Sequence, residues 1–176
     1  MNYDHLLDTI KRIHFIGIGG SGMCPLAEIM HSEGFELTGS DCNESDTLER
    51  IKGYGIKVYM GHRAENIEGA ELIVYTAAVK PDNPELVAAR EKGITCLERS
   101  VMLGIVTRRY KRSIAISGTH GKTTTTAMLS QLLIGAGFDP LRSSAASCPL
   151  SAATAMSDRA TSSYAKRASM SIRSLN

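Results

Sequence analysis

The sequence RIHFIGIGGSGMCPLAEIMHSEGFELTGSD, residues 12–41, decides the fold of this chain. Residues 12–18 have the apolar character of a strand, and residues 23–34 have the apolar spacing of a helix that ends at a glycine. A second strand at 35–41 ends in the acid Asp41. A helix between two apolar strands indicates a β-α-β unit, in which the two strands are parallel and the helix covers one face.

The same alternation of strands and helices continues toward residue 110. We predict strands at 56–60, 71–79 and 94–98 and helices at 47–55, 85–93 and 100–109. Together with residues 12–41, these elements predict an α/β fold with a Rossmann-like parallel sheet over residues 1–110.

A second unit begins at residue 111. The sequence KRSIAISGTHGKTTTTAMLSQLLIGAG, residues 111–137, has the order strand, glycine loop, helix, which predicts the start of a P-loop α/β ATPase domain over residues 111–140. Residues 141–176 are rich in Ser, Ala and Arg and show no apolar periodicity. Taken by composition, they predict a disordered tail.

The composition is that of an ordinary globular protein, with 43% hydrophobic residues, 22% charged residues and a formal net charge of +2. So small a charge argues against a nucleic-acid partner. No apolar run is long enough for a membrane span or a signal peptide, so we expect neither. The four cysteines are far apart, which favours reduced thiols and a cytoplasmic location.

The first glycine loop, residues 17–22, has the pattern G-x-G-x-x-G between a predicted strand and a predicted helix. Glycines let backbone amides approach a diphosphate at a helix N-terminus, where the helix dipole favours negative charge. The alternative interpretation is a tight turn without a ligand. The acid Asp41, one β-α-β unit later, favours the ligand site. The pattern does not distinguish NAD from a UDP-sugar.

The second glycine loop, residues 117–124, has the sequence SGTHGKTT and resembles a phosphate-binding P-loop. In such a loop Lys122 would reach terminal phosphates and Thr123 would bind Mg²⁺. The common pattern has Gly where this chain has Ile116, so this is a shorter variant. We favour ATP binding over a simple threonine-capped turn, and we interpret His120 as a loop side chain.

A dinucleotide-type loop followed, one domain later, by GTHGKTTTT resembles the Mur ligase family. The segments HFIGIGGSGMCPLAEI, GSD, YTAAVKPDNPEL and SIAISGTHGKTTTTAML carry the resemblance, which extends from Lys11 to Pro140. The sequence GIGGSGM and the histidine of the second loop point to the branch that joins L-alanine to UDP-N-acetylmuramate in peptidoglycan synthesis. The resemblance implies a UDP-binding first domain and an ATPase second domain, with ATP and Mg²⁺ forming an acyl phosphate that L-alanine attacks.

The resemblance also implies roles for individual residues. Its implied diphosphate, uridine and pocket-lining residues are Gly17, Gly19, Gly20, Ser21, Gly22, Met23, Ser40, Asp41, Thr76, Ala77, Ala78 and Asn83. The implied ATP-binding residues are Gly118, Thr119, His120, Gly121, Lys122, Thr123 and Thr124, with Lys122 and Thr123 also carrying the catalytic and metal roles. Helix capping is an equal interpretation for Asn83, and core packing is favoured for the side chains of Met23 and Leu26.

The tail after Pro140 departs from the family pattern. A one-nucleotide shift in suitably chosen codons for residues 143–155 yields VIGGELPLIGGNG, the segment that the family pattern leads us to expect. We therefore hypothesise a frameshift near codon 140, with a genuine tail as the alternative and the nucleotide sequence as the test. Lacking the acidic Mg²⁺ ligand and the carboxy-terminal domain, the chain alone is expected to have no ligase activity.

Two other functional classes stay open on the sequence. One is an NAD-dependent oxidoreductase, in which Asp41 would bind the adenosine ribose. The other is a non-catalytic UDP-sugar-binding module that uses residues 1–110 only. A titration with the two nucleotides would discriminate between them.

Overall fold

The computed structural model describes residues 5–110, 112–138, 140–143 and 153–156. The first unit alternates strands with helices. Its elements are α1 (Leu6–Thr9), β1 (Arg12–Ile16), α2 (Met23–Ser32), β2 (Glu36–Asp41), α3 (Asp46–Gly53), β3 (Lys57–Met60), a 3₁₀ turn (Ala64–Ile67), β4 (Leu72–Tyr75), α4 (Pro84–Glu91), β5 (Thr95–Glu98) and α5 (Arg99–Arg108). The strands form one parallel sheet in the order β3-β2-β1-β4-β5. The predicted α/β fold with a Rossmann-like parallel sheet is confirmed.

The central strand β1 sends alternate side chains to two apolar layers. Ile13 and Phe15 pack with residues of α2, α3 and α5 on one face, whereas Ile16 packs with Leu86 of α4 on the other. Full burial of each such side chain contributes roughly 1.5–3 kcal/mol. The two layers place β1 in the interior, so its carboxyl end opens at the edge where the chain order changes direction, between β1 and β4.

Several element boundaries differ from the predicted ones. The strand predicted at 71–79 ends at Tyr75, because the amide of Val79 bonds the carbonyl of Thr76 at 2.9 Å and closes a turn. The strand predicted at 12–18 ends at Ile16, since Gly17 has φ +80°. Neither α1 nor the 3₁₀ turn was predicted, because four residues are too few to show a periodicity.

The second unit contains β6 (Arg112–Ile114), α6 (Lys122–Gly135), β7 (Pro140–Ser143) and β8 (Ala153–Met156). Its three strands form an antiparallel sheet in the order β6-β8-β7. For β7 and β8 this differs from the predicted disordered tail, because β8 pairs with β6 on one side and with β7 on the other, so both strands have backbone hydrogen-bond partners. The other residues of the predicted tail lie outside the described residues. The predicted boundaries at 110 and 140 stay predictions.

Helix α6 leaves large apolar side chains in contact with solvent. Leu132 is 71% exposed and Met128 is 64% exposed, Ile134 is also exposed, and so is Phe138 just after the helix. The first unit, in contrast, buries most of its large apolar side chains. The second unit is therefore the less completely packed part of the described chain.

Candidate functional site

The first glycine loop leaves β1 in a conformation that requires glycine. Gly17 has φ +80°, in the left-handed region, and a Cβ added there would lie 3.1 Å from Cγ2 of Thr76. The amides of Gly17 and Ile18 donate to the carbonyl oxygen of Ser40 at 2.8 and 3.1 Å. The end of β2 thus holds the start of the loop in place.

Two side chains hold the middle of the loop. The amide of Gly19 donates to Oδ2 of Asp41 at 2.9 Å, and Oδ1 of the same carboxylate accepts the amide of Asn43 at 3.1 Å. The hydroxyl of Thr47, at the start of α3, donates to the carbonyl oxygen of Gly19 at 2.6 Å. Hydrogen bonds to a charged carboxylate contribute about 1.5–3 kcal/mol each to stability, so Asp41 holds the backbone of the loop firmly in this conformation.

The amides at the tip of the loop point to an anion site. The amide of Gly20 donates to the carbonyl of Gly17, and those of Met23 and Cys24 donate to the carbonyl of Gly20. Within the described part of the chain, the amides of Ser21 and Gly22 have no acceptor. Both lie at the N-terminus of α2, where the helix dipole adds positive potential, so the pair can bind an anion.

These free amides border an open cleft of about 270 Å³. Its lining residues are Gly20, Ser21, Gly22, Met23, Thr76 and Arg99. Thr76 follows β4 and Arg99 follows β5, so the cleft lies at the carboxyl ends of parallel strands. This is the edge at which open α/β sheets bind their ligands. Five of the six lining residues were predicted from the sequence, and Arg99 was not.

A buried polar network lies behind this loop and centres on Glu85 of α4, which is 0% exposed. Its carboxylate accepts hydrogen bonds from Ser40 Oγ at 2.7 Å, Asn66 Nδ2 at 2.6 Å and His62 Nδ1 at 3.0 Å. Nε2 of the fully buried His14 lies 3.7 Å from the same carboxylate. The network connects four elements of the chain to Ser40, whose carbonyl holds the loop.

The pKa of Glu85 is lowered, although burial by itself would raise it. Desolvation is the largest single influence and opposes ionisation, but contacts from His14, Ser40 and Asn66 together outweigh it and favour the charged carboxylate. The Glu85 side chain also lies in the first turn of α4, where the helix dipole stabilises negative charge. Glu85 is therefore a buried carboxylate that is held in its charged form inside the domain.

The structure gives several predicted site residues a structural task. Ser40 is 0% exposed, and its hydroxyl donates to Glu85, so its side chain lies in the interior rather than in the open cleft. The side chains of Met23 and Leu26 are buried in the core, as the packing interpretation predicted. Oδ1 of Asn83 accepts the amides of Glu85 and Leu86, which confirms its capping role. Ala77 and Ala78 are exposed on the turn after β4.

The second glycine loop lies on the surface between β6 and α6. Residues 117–125 are all exposed, and Gly121, with φ +77°, is the N-cap of α6. Nζ of Lys122 folds back onto the carbonyl oxygens of Gly118 and Thr119. The hydroxyl of Thr123 has no partner among the described residues.

The residues of the second loop fit a phosphate group. Among the described residues, the amides of residues 118–124 have no protein acceptor, and they lie at the N-terminus of the 14-residue helix α6. Lys122 and the free hydroxyl of Thr123 stand beside them. No group of three or more His, Cys, Asp or Glu side chains in the described ranges could hold a metal ion by itself.

Three residues that position the site were missed by sequence reasoning. A Cβ on Gly39 would lie 2.6–2.8 Å from side-chain atoms of Ile18, so the first residue of the GSD segment is a packing requirement. Gly39 could have been found, because a glycine inside a strand indicates a close approach. Glu85 and Arg99 are first-turn residues of helices, and nothing in the sequence marks them as interior or cleft residues.

Most of this chain is similar to known proteins. A model of the Mur ligase family, catalytic domain, matches residues 12–111. The chain is 52% identical over 140 residues to a UDP-N-acetylmuramate–L-alanine ligase of Clostridium botulinum (strain Langeland), in an alignment that covers 80% of this chain and 31% of that protein. The chain thus spans about a third of the length of this relative.

Solved structures give the same result. UDP-N-acetylmuramate–alanine ligase MurC from Thermotoga maritima is 36% identical, with a TM-score of 0.69, over 72% of this chain and 30% of that chain. A murein peptide ligase from Psychrobacter arcticus is 30% identical, with a TM-score of 0.69, over 74% of this chain and 28% of that chain. No helix within the described residues has both the length and the apolar character needed to cross a bilayer.

Proposed function

This chain belongs to the Mur ligase family, and on that premise we propose that its first domain binds a UDP-sugar, UDP-N-acetylmuramate, through the diphosphate. The family match confirms the resemblance to the Mur ligase family that the sequence motifs indicated. The observation that carries the proposal is the pair of unbonded amides of Ser21 and Gly22, two residues that line the cleft at the N-terminus of α2. A diphosphate supplies the acceptors that these amides lack.

The other residues of the site act by fixing the loop in a state ready to bind. Asp41 and Thr47 hold Gly19 from its two sides, and Ser40 holds Gly17 through its carbonyl. Because these contacts form in the free protein, the loop loses little conformational entropy on binding. We propose that Ser40 acts indirectly, through this backbone contact. We also propose that Asp41 and Asn83 each keep hydrogen-bonding capacity that the nucleotide can use.

We propose ATP with Mg²⁺ as the ligand of the second loop. When bound, ATP supplies the phosphoryl group that activates a carboxylate for attack by an amine. The amides of residues 118–124 would bind its phosphates, Lys122 would hold the terminal phosphates, and Thr123 would bind the Mg²⁺. Lys122 would exchange its present carbonyl partners, Gly118 and Thr119, for phosphate oxygens.

The complete reaction is proposed for a protein of the relatives' full length. In that reaction, the carboxylate of UDP-N-acetylmuramate is joined to L-alanine at the expense of ATP. We propose that the reaction takes place in the cytoplasm. We propose that residues 12–111, which the family model matches, hold the sugar nucleotide in this reaction. Nucleotide binding is thus the activity that tests the proposal on this chain.

Calorimetric titration of the chain with UDP-N-acetylmuramate, with NAD and with ATP in the presence of Mg²⁺ provides the test. We expect the UDP-sugar to bind and NAD not to bind. Asp41→Ala should weaken UDP-sugar affinity at least about tenfold, because the amide of Gly19 loses a charged acceptor worth about 1.5–3 kcal/mol. Glu91→Ala, which removes an exposed acid at the last residue of α4, is the matched control and should leave the affinity unchanged.

Each other result has a definite meaning. Binding of NAD in preference to the UDP-sugar would replace the proposal with the oxidoreductase alternative. Binding of the UDP-sugar together with failure to bind ATP would support the non-catalytic module and remove the assignment of the second loop. If the folded chain bound neither nucleotide, the proposal would be wrong.

A further inference from the structure

Arg99 is the one cleft residue that carries a full charge. It is the first residue of α5, directly after β5, and its side chain is half-buried. A Cβ added to Gly22 would lie 3.2 Å from Nε, Cζ and Nη1 of Arg99 alike. Three equal distances mean that the plane of the guanidinium faces Gly22. A side chain at this position would push the guanidinium aside by a few tenths of an ångström.

The guanidinium has no anionic partner within the described residues. Some other arginines of the domain do have one, since Arg12 pairs with Glu71 and Arg50 pairs with Glu28. Removing a cation partly from water without an acceptor costs free energy. The N–H donors of a guanidinium lie in its plane, so stacking on Gly22 leaves them directed away from the backbone. The position therefore suits an anion that the protein itself does not supply.

We infer that Arg99 is a further ligand-binding residue of the cleft, where its guanidinium pairs with the diphosphate held by the amides of Ser21 and Gly22. This inference rests on the proposed function. The loop amides are neutral, so Arg99 supplies the positive charge that a diphosphate needs. A guanidinium can bind two phosphate oxygens side by side, which a lysine cannot do in the same geometry.

The arrangement also explains why the cation comes from β5 rather than from the loop. A Cβ on Gly20 would lie 3.2 Å from the carbonyl oxygen of Gly17, and a Cβ on Gly22 would meet the guanidinium of Arg99. With glycines at these positions, the tip of the loop contributes only amides and the hydroxyl of Ser21. In strand order, Thr76 after β4 comes between the loop after β1 and Arg99 after β5. A diphosphate lying along this edge would meet amides on one side and the guanidinium on the other.

The test is calorimetric titration of wild type, Arg99→Gln and Arg99→Lys with UDP and with UDP-N-acetylmuramate. We expect Arg99→Gln to weaken both ligands equally, by about 10- to 100-fold, which is the range for a lost hydrogen bond to a charged group. Arg99→Lys should recover part of this loss, because it keeps the charge but not the paired donors. Arg12→Gln, which changes an arginine at the amino end of β1 and so on the side of the sheet opposite the cleft, should leave both affinities unchanged. The urea midpoint of Arg99→Gln should match that of wild type, because the residue has no protein partner.

Three results would overturn the inference. Unchanged UDP affinity in Arg99→Gln, with wild-type binding intact, would show that Arg99 does not contact the diphosphate and would leave the proposed function standing. A loss confined to UDP-N-acetylmuramate would move the contact to the sugar's carboxylate and equally refute the diphosphate assignment. Failure of the wild-type chain to bind UDP at all would refute the proposed function and this inference with it.

Discussion

In the first glycine loop, residues of β2 bind the amides of Gly17, Ile18 and Gly19, while Thr47 of α3 binds the carbonyl of Gly19. In the second glycine loop, no hydrogen bond among the described residues reaches further than four positions along the chain. The two loops share a strand, a glycine turn and a helix N-terminus. They differ in whether distant parts of the sequence hold the turn.

A glycine pattern therefore specifies a permitted conformation, and neighbouring elements decide whether that conformation is fixed. The first loop lies against a buried charged network and is prepared for its ligand. The second loop, on an exposed surface, keeps its lysine on its own carbonyls. Changes behind the first loop should therefore alter the stability of the domain, whereas changes in the second should alter ligand binding alone.

The largest effect is expected from Glu85→Ala. Removing the carboxylate leaves Ser40, Asn66 and His62 without their common acceptor inside the domain. Loss of one partner in a buried charged network costs about 3–5 kcal/mol, which we expect as the decrease in the free energy of unfolding measured in urea by circular dichroism. Glu91→Ala on the same helix is the control and should stay within about 0.5 kcal/mol of wild type. A loss below about 1 kcal/mol for Glu85→Ala would mean that the network does not support the fold.

The contribution of Glu85 should also depend on pH. Its pKa in the folded state is lowered from the usual 4.5, so the stabilisation is fully present above about pH 4.5 and is lost as the pH falls through the folded-state pKa. We expect the difference in unfolding free energy between wild type and Glu85→Gln to be constant from pH 7 to about pH 5 and to shrink below that. A difference that grew on acidification would contradict the assigned direction of the shift.

The next effect is expected at Gly39. In Gly39→Ala the new Cβ would meet Ile18 at 2.6–2.8 Å, and one of the atoms met is Cβ of Ile18, which cannot move away without its backbone. Overpacking of this kind costs about 1–3 kcal/mol, to be measured as the shift in unfolding free energy. Gly53→Ala offers a matched control, because a Cβ there meets nothing within 4 Å and a helical Gly→Ala change is favourable. Equal stability of the two variants would show that the contact is not tight.

A direct comparison of the loops uses Gly17→Ala and Gly121→Ala. The two glycines have nearly the same φ, +80° and +77°, so both variants bear about 1–2 kcal/mol of left-handed strain. Only Gly17 adds a close contact, with Thr76 at 3.1 Å, since the nearest atom at Gly121 is 4.0 Å away. Hydrogen exchange resolved by peptide should show the larger loss of protection for Gly17→Ala. The reverse order would show that the first loop is not the more firmly held of the two loops.

The smallest change in stability is expected from Lys122→Ala. The lysine is exposed and bonds only to carbonyls of its own loop, so the unfolding free energy should change by less than about 0.5 kcal/mol. ATP affinity, measured by titration in the presence of Mg²⁺, should nevertheless fall, because the charge that pairs with phosphate is gone. Glu91→Ala again serves as the control for ATP affinity. Unaltered ATP affinity in Lys122→Ala would remove the lysine from the proposed site.

Sequence reasoning reached the parallel sheet and the first loop because both depend on local patterns. The apolar runs, the glycines between a strand and a helix, and Asp41 at the end of β2 are all visible in the order of residues. Sequence reasoning did not find the turn after Tyr75, because the small and apolar side chains of residues 76–79 do not show where the strand hydrogen bonds stop. The assigned roles of the individual site residues stay predictions until ligand binding is measured.

By itself, the sequence determined the α/β class, the two glycine loops and the family, because local periodicity and short motifs suffice for each. Only the tertiary structure placed Arg99 beside Gly22, 77 positions later in the chain, and gathered His14, Ser40, His62 and Asn66 around Glu85. The physical reason is that a parallel sheet brings the carboxyl ends of distant strands to one edge. Strand order therefore determines which residues lie beside a buried charge or an unbonded amide, and no local sequence pattern encodes strand order.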